Sequence, residues 1–467
     1  MKNLTFFAIS ALLCSCGGEV QTAQSESQIP GYNPDAVYVS SIAPDRGLAD
    51  PHTVIVNDTL YTVCGHDLSW DTVNACEMDR WEVWATTNLV DWEYKCSILP
   101  EQNYMGAVND CFAGDIVHRG DTFYWYFSNR TKDTGVMTAP HPTGPWTDAL
   151  GEPLIPEGLA PTKSYDADVW EENGEYTIFW GAGRYFCATL GDDLLSLASE
   201  PQEVLILEED GSNRGHGDKP HIFKRGDWYY LSWGDYYSMS KELKGPYQFK
   251  GEITNGGHGT MFTWNDQIYY IQENHETNAY YRGVQLQPLY FNEDGTVYIP
   301  EHNLEYPLPE RDYNFEYSEM GWSAKQGTDF KRVGNTICGT VSEKGAIIAS
   351  VPHIHTPIHL CTDIQIRIKN NSDATMLKVA MYTYDFDRGF TQKNPNVVDW
   401  ATQEWVGVPI KPNTDGWQEI TIPKSAFESC QKHLHQIAIQ PLANAEEGSW
   451  EIDRIKINSD IETTWIR

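Results

Sequence analysis

A sequence unit recurs five times between residues 50 and 275, and this repeat constrains the fold more than any other feature of the chain. Each copy has a polar anchor residue, a short apolar run, a tight turn and an aromatic-rich strand. The turns contain the Asn, Asp and Gly residues that tight hairpins require. A hairpin repeat of this period is typical of β-propeller blades, so the sequence predicts five blades. The copies cover residues 50–61, 115–127, 166–180, 218–233 and 258–271.

The polar anchors are predicted to surround one central pocket. Each anchor stands at the start of the first strand of its copy, and the innermost strands of a propeller converge on the axis. The anchors are Asp50, Asp115, Asp166, Asp218 and His258. Four carboxylates at the mouth of one pocket are costly to bury unless they bind a cation or perform acid–base chemistry. The pocket is therefore the predicted functional site.

The periodicity of the chain predicts an all-β fold with two domains. No segment keeps a helical period of apolar residues, and the strands are rich in Tyr, Trp, Val and Ile. The aromatic hairpin repeat ends near residue 309, and alternating segments such as 362–368 and 450–457 follow. These alternating segments predict a β-sandwich. The predicted organisation is a five-bladed β-propeller over residues 36–308, followed by a β-sandwich over residues 309–467.

The N-terminus predicts export. A basic start and an apolar stretch over residues 1–13 are too short to span a membrane and are typical of a signal peptide. The sequence Leu13-Cys14-Ser15-Cys16-Gly17 resembles the bacterial lipobox, which implies a signal peptide over residues 1–15 and a lipid on Cys16; an ordinary signal peptide is the alternative. Residues 16–35 are rich in Ser, Gln and Glu and are predicted to form a flexible tether. The chain is thus predicted to be a bacterial lipoprotein, periplasmic or on the cell surface.

Charge and cysteine content narrow the choice of partners. The 467 residues include 66 acidic and 33 basic ones, a formal net charge of −33. Nucleic acid and anionic lipid are unsuitable partners, because a phosphate-binding face needs clustered Lys and Arg. Contact with a membrane is therefore expected through the lipid anchor alone. The cysteines after Cys16 show no CxxC spacing, which argues against a zinc site and leaves any disulfide pairing open.

Several motifs, in their order along residues 36–300, resemble glycoside hydrolase family 43. They are Arg46-Gly47-Leu48-Ala49-Asp50-Pro51-His52, Asp166 before an aromatic strand, Asp218-Lys219-Pro220-His221, and Gly257-His258-Gly259 with Arg282. The resemblance implies a five-bladed propeller that cleaves exposed pentose or galactose linkages with inversion. It also implies that Asp50 is the general base that activates water and that Asp166 orients the general acid and tunes its pKa.

At the position of the general acid the chain departs from the family. The family has a Glu before a small residue, Pro and His, whereas this chain has Asp218, which is one methylene shorter. The carboxyl moves back by ~1.5 Å, enough to cost orders of magnitude in rate if the pocket does not compensate. Three interpretations remain: Asp218 is the acid in a repositioned pocket, His216 or His221 donates the proton instead, or the site is inactive. Histidine is a competent acid because it titrates near neutrality.

The remaining candidate residues are assigned by the resemblance and by position. His258 corresponds to a histidine that helps to hold a calcium ion in many family members, although calcium prefers oxygen ligands. Arg282 would lie beside the base, keep it ionised and contact a sugar hydroxyl, or only close the last blade. Asp115 either contacts substrate or caps a strand end. Trp70 and Trp81 either form a wall of the pocket or belong to the core.

The sequence therefore predicts an exo-acting, inverting glycosidase that releases a terminal sugar from plant or algal polysaccharide fragments. The resemblance implies α-L-arabinofuranosides and β-xylosides first, and the unusual acid position adds algal galactose or anhydrogalactose derivatives. The alternative is a catalytically inactive propeller that binds sugar. The sandwich resembles the jelly-roll modules that accompany secreted carbohydrate enzymes, and it either binds sugar or only braces the propeller.

Overall fold

The computed structural model describes residues 29–459 with short gaps. The gaps are residues 34, 38, 40–41, 44–45, 69–75, 254–255, 275–281, 299–310, 316–318, 321, 351–355, 360, 385–397, 415 and 431–432. The predicted signal peptide, Cys16, most of the tether, Trp70 and the predicted boundary at residue 309 lie outside the described residues. Within them the regular structure consists of strands and single-turn 3-10 helices, so the all-β prediction is confirmed. No helix in this part of the chain is long and apolar enough to cross a membrane.

Five consecutive sheets make up the first part of the chain, and in each of them neighbouring strands are mostly antiparallel. The first sheet contains β1 (Leu48–Val56), β2 (Thr59–Asp67), β3 (Met78–Thr86) and β4 (Glu93–Ile98). The second contains β5 (Cys111–Arg119), β6 (Thr122–Asn129), β7 (Asp133–Ala139) and β8 (Thr147–Asp148), after a 3-10 turn at Pro100–Gln102. The third contains β9 (Asp168–Glu172), β10 (Glu175–Trp180), β11 (Tyr185–Thr189) and β12 (Gln202–Val204).

The fourth and fifth sheets complete this part. The fourth contains β13 (Ile206–Leu207), β14 (His221–Arg225), β15 (Trp228–Trp233), β16 (Tyr236–Ser240) and β17 (Tyr247–Glu252), and β13 pairs in parallel with β17. The fifth contains β18 (Gly256–Trp264), β19 (Gln267–Asn274), β20 (Val284–Phe291) and β21 (Val297–Tyr298). The predicted hairpin turns have the left-handed backbone that such turns need, for example φ values of 47° and 61° at Asn57 and Asp58.

The first strands of the five sheets close into a ring. Strand β1 contacts β5, β5 contacts β9, β9 contacts β14, β14 contacts β18, and β18 contacts β1. Four of the five predicted anchors, Asp50, Asp166, Asp218 and His258, lie near the starts of these strands, whereas Asp115 lies in the middle of β5. A closed ring therefore brings anchors that are far apart in sequence to the same end of one axis.

Aromatic side chains fill the space between neighbouring sheets. Each of the five sheets contributes at least one fully buried ring, namely Trp81, Trp125, Trp180, Tyr230 and Tyr270. The ring of Trp81 on β3 packs against that of Trp125 on β6, with centroids 6.0 Å apart. Burial of one large side chain contributes about 1.5–3 kcal/mol, so these contacts are a large part of what holds adjacent sheets together. Most of the aromatic excess of the sequence is therefore core.

Two six-stranded sheets form the C-terminal part. Their strands are β22 (Arg311–Tyr313), β23 (Ser323–Gln326), β24 (Thr328–Val333), β25 (Thr336–Val341), β26 (Ile347–Ala349), β27 (Thr356–Pro357), β28 (Cys361–Asn371), β29 (Met376–Tyr384), β30 (Trp405–Pro409), β31 (Gln418–Pro423), β32 (His433–Gln440) and β33 (Gly448–Ser459), with 3-10 turns at Trp400–Thr402 and Lys424–Ala426. The first sheet has the order β24-β25-β33-β28-β31 with β22 paired to β33, and the second has the order β23-β26-β32-β29-β30 with β27 paired to β32. Their facing side chains share one core that includes Ile364, Trp450, Val379 and Ile437. All eight cysteines of the described residues are free thiols.

Candidate active site

The starts of the first strands surround a cavity of about 460 Å³. Three of the predicted carboxylates line it, Asp50, Asp166 and Asp218, together with His258 and Arg282. The structure thus brings together five residues that the sequence placed in the site. These residues come from sheets that range from the first to the last, and they meet because the first strands form a closed ring.

Strained backbone positions two of the carboxylates. Asp50 and Asp166 have φ values of 51° and 59°, in the left-handed region that costs a residue with a side chain about 1–2 kcal/mol. Asp50 lies where the pairing of β1 with β2 shifts register, between Ala49 and His52. Such a bulge re-aims a side chain, here into the cavity. The backbone N–H of Asp50 donates to Glu273 Oε1 (3.1 Å), and the backbone N–H of Asp166 donates to Ser128 Oγ (2.8 Å).

Asp50 is held in its ionised form. His258 Nδ1 lies 2.6 Å from Asp50 Oδ1, and Arg282 Nη1 lies 3.7 Å from Asp50 Oδ2. Burial of the carboxyl favours its neutral form, but the hydrogen bond and charge of His258, together with the charge of Arg282, outweigh burial and lower the pKa of Asp50. An ionised, buried carboxylate that faces a cavity is suited to accept a proton from water.

His258 bridges two carboxylates. Its Nδ1 faces Asp50, and its Nε2 lies 3.0 Å from Asp218 Oδ1. Burial alone would lower the pKa of the imidazole, but the two carboxylates raise it well above its ordinary value. The ring is therefore an imidazolium that donates one N–H to each carboxylate.

Asp166 and Asp218 have opposite environments although they are close together. The side-chain ligand atoms of Asp166, Asp218 and His258 all lie within 4.8 Å of one another. Asp166 is buried, and its Oδ1 has no hydrogen-bond partner among the described residues. Burial, with the charges of Asp218 and Asp50, raises the pKa of Asp166 well above the usual range.

Asp218 is instead stabilised as an anion. Its side chain is 39% exposed, and it accepts hydrogen bonds from His258 and from the hydroxyl of Tyr165 (2.7 Å). Partial burial works against ionisation, but the charge of His258 and these hydrogen bonds lower the pKa of Asp218. The environment thus favours the neutral, protonated form of Asp166 and the ionised form of Asp218.

Arg282 is the centre of a buried ion network beside Asp50. Its Nη2 lies 2.8 Å from Asp67 Oδ1, and its Nη1 lies 3.0 Å from Glu273 Oε1. Burial raises the pKa of Glu273, which also lines the cavity. Asp67 and Glu273 were not predicted, because they lie at the ends of the second strands β2 and β19 and not among the anchors. An acidic residue at or next to the end of a second strand, as Asp67 is in β2 and Glu273 is in β19, is the signal that would have found them.

Asp115 and His221 do not reach this cavity. Both line a second cavity of about 420 Å³ further along the first strands. Asp115 accepts from Val169 N (2.7 Å), Asp168 accepts from Ile222 N (2.9 Å), and His221 Nε2 accepts from Met261 N (2.8 Å).

Each of these side chains thus ties its sheet to the first strand of the next sheet. The structural equivalents of Asp115 are Asp168 and His221, whereas the predicted equivalents were Asp166 and Asp218. Burial and the nearby His52 lower the pKa of His221 to about 3. With both of its ring nitrogens engaged, His221 is not placed to protonate a leaving group in the first cavity.

The other predicted residues are placed as follows. The ring of His216 packs on that of Tyr185, with centroids 3.9 Å apart, and its Nδ1 lies 2.9 Å from the carbonyl oxygen of Arg214. Trp81 is 0% exposed and its Nε1–H donates to the carbonyl of Phe112, so it belongs to the core and not to the pocket wall. Among the described residues, the cavity is instead lined by the aromatic side chains of Phe112, Trp233 and Tyr236.

The donor set does not fit a calcium ion held by His258. Two groups of ligand atoms that are close enough to hold a cation include this histidine. As an imidazolium with both N–H groups directed at carboxylates, however, His258 has no nitrogen lone pair to offer. The third group consists of His52, Asp115 and Asp168, and it lies away from the cavity of Asp50.

A family model and several known proteins match this chain. The model of glycosyl hydrolases family 43 matches residues 45–297, more than half of the chain. A β-D-galactofuranosidase of Aspergillus niger is 27% identical over 212 residues, which cover 39% of this chain and 60% of the relative. A xylosidase/arabinosidase of Bacteroides ovatus is 25% identical over 268 residues, which cover 45% of this chain and 79% of the relative. The chain thus spans less than two thirds of the first of these relatives.

A solved structure supports the fold. The β-xylosidase/α-arabinofuranosidase from a compost microbial metagenome, in complex with xylotriose and in a calcium-free form, superimposes with a TM-score of 0.51 at 19% identity. The match covers 56% of this chain and 97% of that chain. The family model therefore confirms the resemblance that the sequence motifs indicated, and the solved structure supports the fold alone.

Proposed function

Because the chain belongs to glycosyl hydrolase family 43, we propose that it is an exo-acting, inverting glycoside hydrolase whose active site is the cavity around Asp50. The observation that carries the proposal is that His258 lies between carboxyl groups on two sides of the cavity. On one side lies Asp50, whose pKa is lowered, and on the other lie Asp166, whose pKa is raised, and Asp218, whose pKa is lowered. Inverting hydrolysis requires one carboxylate that accepts a proton and one carboxyl group that donates one.

In this proposal the ring of five sheets is a five-bladed propeller over residues 36–308. The two six-stranded sheets are a jelly-roll sandwich within residues 309–467. The contacts that join all five first strands in a closed order support the propeller. The shared core of the two C-terminal sheets supports the sandwich.

Asp50 is the general base. Its lowered pKa keeps it ionised at neutral and mildly acidic pH, and it faces the cavity in which a water molecule and a sugar would meet. An imidazole ring between two hydrogen-bonded carboxylates separates their oxygens by about 6–8 Å, which overlaps the ~6.5–9.5 Å needed to place a water between base and sugar. The distance between Asp50 and Asp218 is thus suited to inversion.

Asp218 is the general acid, and Asp166 tunes it. Asp218 is the more exposed of the two, so it is the member that a substrate meets first. Substrate that separates Asp218 from His258 removes the contact that keeps Asp218 ionised. The proton of the pair then moves to Asp218, because two adjacent carboxyl groups titrate as one unit. Tyr165 fixes the orientation of Asp218 through its hydroxyl.

The substrate is an oligosaccharide with a terminal pentose or galactose unit. The relatives are named for β-D-galactofuranoside, xyloside and arabinoside substrates. Phe112, Trp233 and Tyr236 supply flat apolar faces in the cavity, against which a sugar ring packs well. Algal galactose derivatives stay in the candidate set, because Asp218 leaves more room than a glutamate at the acid position.

The place of action is the periplasm or cell surface of a bacterium, with the lipid on Cys16 as the anchor and residues 16–35 as the tether. The sequence Leu13-Cys14-Ser15-Cys16-Gly17 supports this proposal. Replacement of Cys16 by Ser is expected to move the protein from the membrane fraction to the soluble fraction.

A sugar-binding propeller without hydrolytic activity is the second candidate. It is favoured by the shortened acid at Asp218 and by the lowered pKa of that carboxyl, since an ionised group donates no proton. Both candidates predict that the protein binds sugar, but only the hydrolase predicts that a product is released.

The deciding experiment uses the chain from residue 17 onward with arabino-, xylo-, galactofuranosyl- and agar-derived oligosaccharides. Released monosaccharide is measured by chromatography and mass spectrometry, and the anomeric form of the first product by NMR. Release of one sugar with inverted configuration by the wild type supports the hydrolase proposal. This activity is expected to be lost in Asp50→Asn and kept in the surface variant Asp121→Asn. Binding by calorimetry without any product supports the sugar-binding propeller, and retained configuration would refute the inverting mechanism.

A further inference from the structure

Lys219 is a lysine in an unusual place. It follows Asp218 directly, its φ is 57°, and it is only 1% exposed. Lysine is almost never fully buried unless it is paired, because removal of its ammonium group from water is costly. The left-handed backbone adds strain at the same residue. Two unfavourable features at one position indicate that the side chain has a specific role.

The side chain of Lys219 ends at a group of ligand atoms on the axis. Its Nζ contacts His52 Nε2, and His52 Nδ1 lies 2.7 Å from Asp115 Oδ1. The ligand atoms of His52, Asp115 and Asp168 all lie within 4.8 Å of one another, a spacing that suits a metal ion. These three residues belong to β1, β5 and β9, so the group is built by three different sheets.

The contact between Lys219 and His52 carries one positive charge. There is room for one N–H between Nζ and Nε2, and the Asp115 carboxylate at His52 Nδ1 favours a charged pair over a neutral amine and a neutral imidazole. Either an ammonium donates to a neutral imidazole or an imidazolium donates to a neutral amine. In both arrangements a single cationic pair faces Asp115. The lysine therefore brings to this point the charge that a bound cation would otherwise bring.

The carboxylates of the group are already satisfied without a metal. Asp115 accepts from His52 and from the backbone N–H groups of Ile116 (2.8 Å) and Val169 (2.7 Å). Asp168 accepts from the backbone N–H of Ile222 (2.9 Å) and pairs with His221 Nδ1 (2.8 Å). A metal ion would have to displace several of these hydrogen bonds as well as the lysine.

We propose that the side chain of Lys219 is a built-in cation of the propeller axis, which takes the place of a bound divalent metal ion between the Asp50 cavity and the Asp115 cavity. The protein then needs no calcium for its stability. The proposal concerns charge and packing on the axis, so it stands or falls independently of whether the Asp50 cavity hydrolyses a glycoside.

The test is a comparison of Lys219→Gly and Lys219→Met. Glycine accepts the left-handed backbone and leaves the lysine's space free for an ion, whereas methionine keeps most of the side-chain volume and removes the charge. The surface variant Lys241→Met, which loses an exposed ion pair to Asp227, is the matched control. Each protein is treated with EDTA, and its Tm is measured without added metal and in a calcium titration.

The expected results differ for each protein. Calcium leaves the Tm of the wild type and of Lys241→Met unchanged within about 1 °C, and both Lys219 variants melt lower than the wild type. Calcium raises the Tm of Lys219→Gly by about 3 °C or more and does not rescue Lys219→Met.

Two results would overturn the proposal. One is a rise in the Tm of the EDTA-treated wild type with calcium, and the other is a Lys219→Gly protein that folds but does not respond to calcium. If Lys219→Gly does not fold, metal analysis of the purified wild type decides. Stoichiometric bound divalent metal contradicts the proposal. Absence of bound metal, together with no heat of calcium binding by calorimetry, supports it.

Discussion

The Nδ1 atom of His258 lies 2.6 Å from Oδ1 of Asp50, and this contact joins residues that are 208 positions apart in the sequence. His258 is the anchor of the last copy of the repeat and Asp50 the anchor of the first. The contact therefore joins the first and the last of the five sheets at the level of the Asp50 cavity. It also sets the charge state of the proposed base, because the imidazolium is the main group that opposes the effect of burial on Asp50.

Replacement of His258 by Gln is expected to shift the pH dependence of activity. The pKa of Asp50 is lowered by His258 in the wild type, so loss of the imidazolium raises it, and the base becomes protonated at a higher pH. The acidic limb of the kcat/KM profile should move up by about one to three pH units, the usual effect of one close opposite charge. His141→Gln, an exposed histidine, is the control. Loss of activity at all pH values without movement of the limb would show that His258 does not set the pKa of Asp50.

Asp218→Asn and Asp166→Asn are expected to respond differently to the leaving group. A general acid matters little when the leaving group needs no proton. Asp218→Asn should therefore lose about 10²–10⁴-fold in kcat/KM on natural sugars and under about tenfold on activated aryl glycosides. Asp166→Asn should lose similar factors on both, because it acts through the pair. The reverse pattern in steady-state kinetics would assign the acid to Asp166.

Arg282→Met is expected to be strongly destabilising. The guanidinium is buried with Asp67 and Glu273, and its removal leaves buried carboxylates without their counter-ion. The free energy of unfolding should fall by about 3–5 kcal/mol. Arg130→Met removes an exposed pair with Asp110 and should cost about 1 kcal/mol or less. Urea denaturation measures both, and equal losses would mean that the buried network contributes no more than a surface pair.

Asp115→Asn is expected to reduce the stability of the fold without reducing activity. Asp115 accepts a backbone N–H from β9 and pairs with His52 away from the Asp50 cavity, so its loss should destabilise the fold by about 1–3 kcal/mol. The kcat/KM of the folded fraction should stay within about threefold of the wild type, since mutations away from the site remove no transition-state contact. Asp121→Asn, in a surface turn, is the control. A loss in kcat/KM as large as that of Asp50→Asn, with unchanged stability, would return Asp115 to the active site.

The sequence predicted the ring and most of its cavity because the determinants are local. Tight-turn residues and aromatic strands define each hairpin, and an anchor at the start of a first strand has to lie near the axis. Asp50, Asp166, Asp218 and His258 were found in this way. The alignment of Asp115 with them failed because its copy has Ala113 where the third copy has Asp166, with a register shift in β5 between Phe112 and Gly114.

Residues that depend on tertiary placement were not predictable in the same way. Glu273 and Asp67 lie on second strands, and only the folded ring shows that they meet Arg282. Lys219 stood inside a predicted motif, but nothing in the sequence shows that its side chain turns away from Asp218 toward His52. Only for Asp50 was a charge state predicted, through Arg282; the pKa shifts of Asp166, Asp218 and His258 depend on burial and neighbours that the repeat does not encode.

Tyr236 is expected to contribute to sugar binding. Its ring is half-buried and lines the cavity beside Trp233, so we expect it to contact a pyranose or furanose ring that enters the cavity. Aromatic packing of this kind contributes about 0.5–1.5 kcal/mol, which corresponds to a rise in KM of about two- to tenfold in Tyr236→Ala. The value of kcat should change little, because the contact is equally present in the ground state and the transition state.

Tyr236→Phe keeps the ring and should retain the wild-type KM. Tyr94→Ala, an exposed tyrosine on the edge strand β4 that does not line the cavity, serves as the control for a lost tyrosine ring. A fall in kcat at unchanged KM in Tyr236→Ala would instead place this side chain against the reacting centre and not against a bound sugar face.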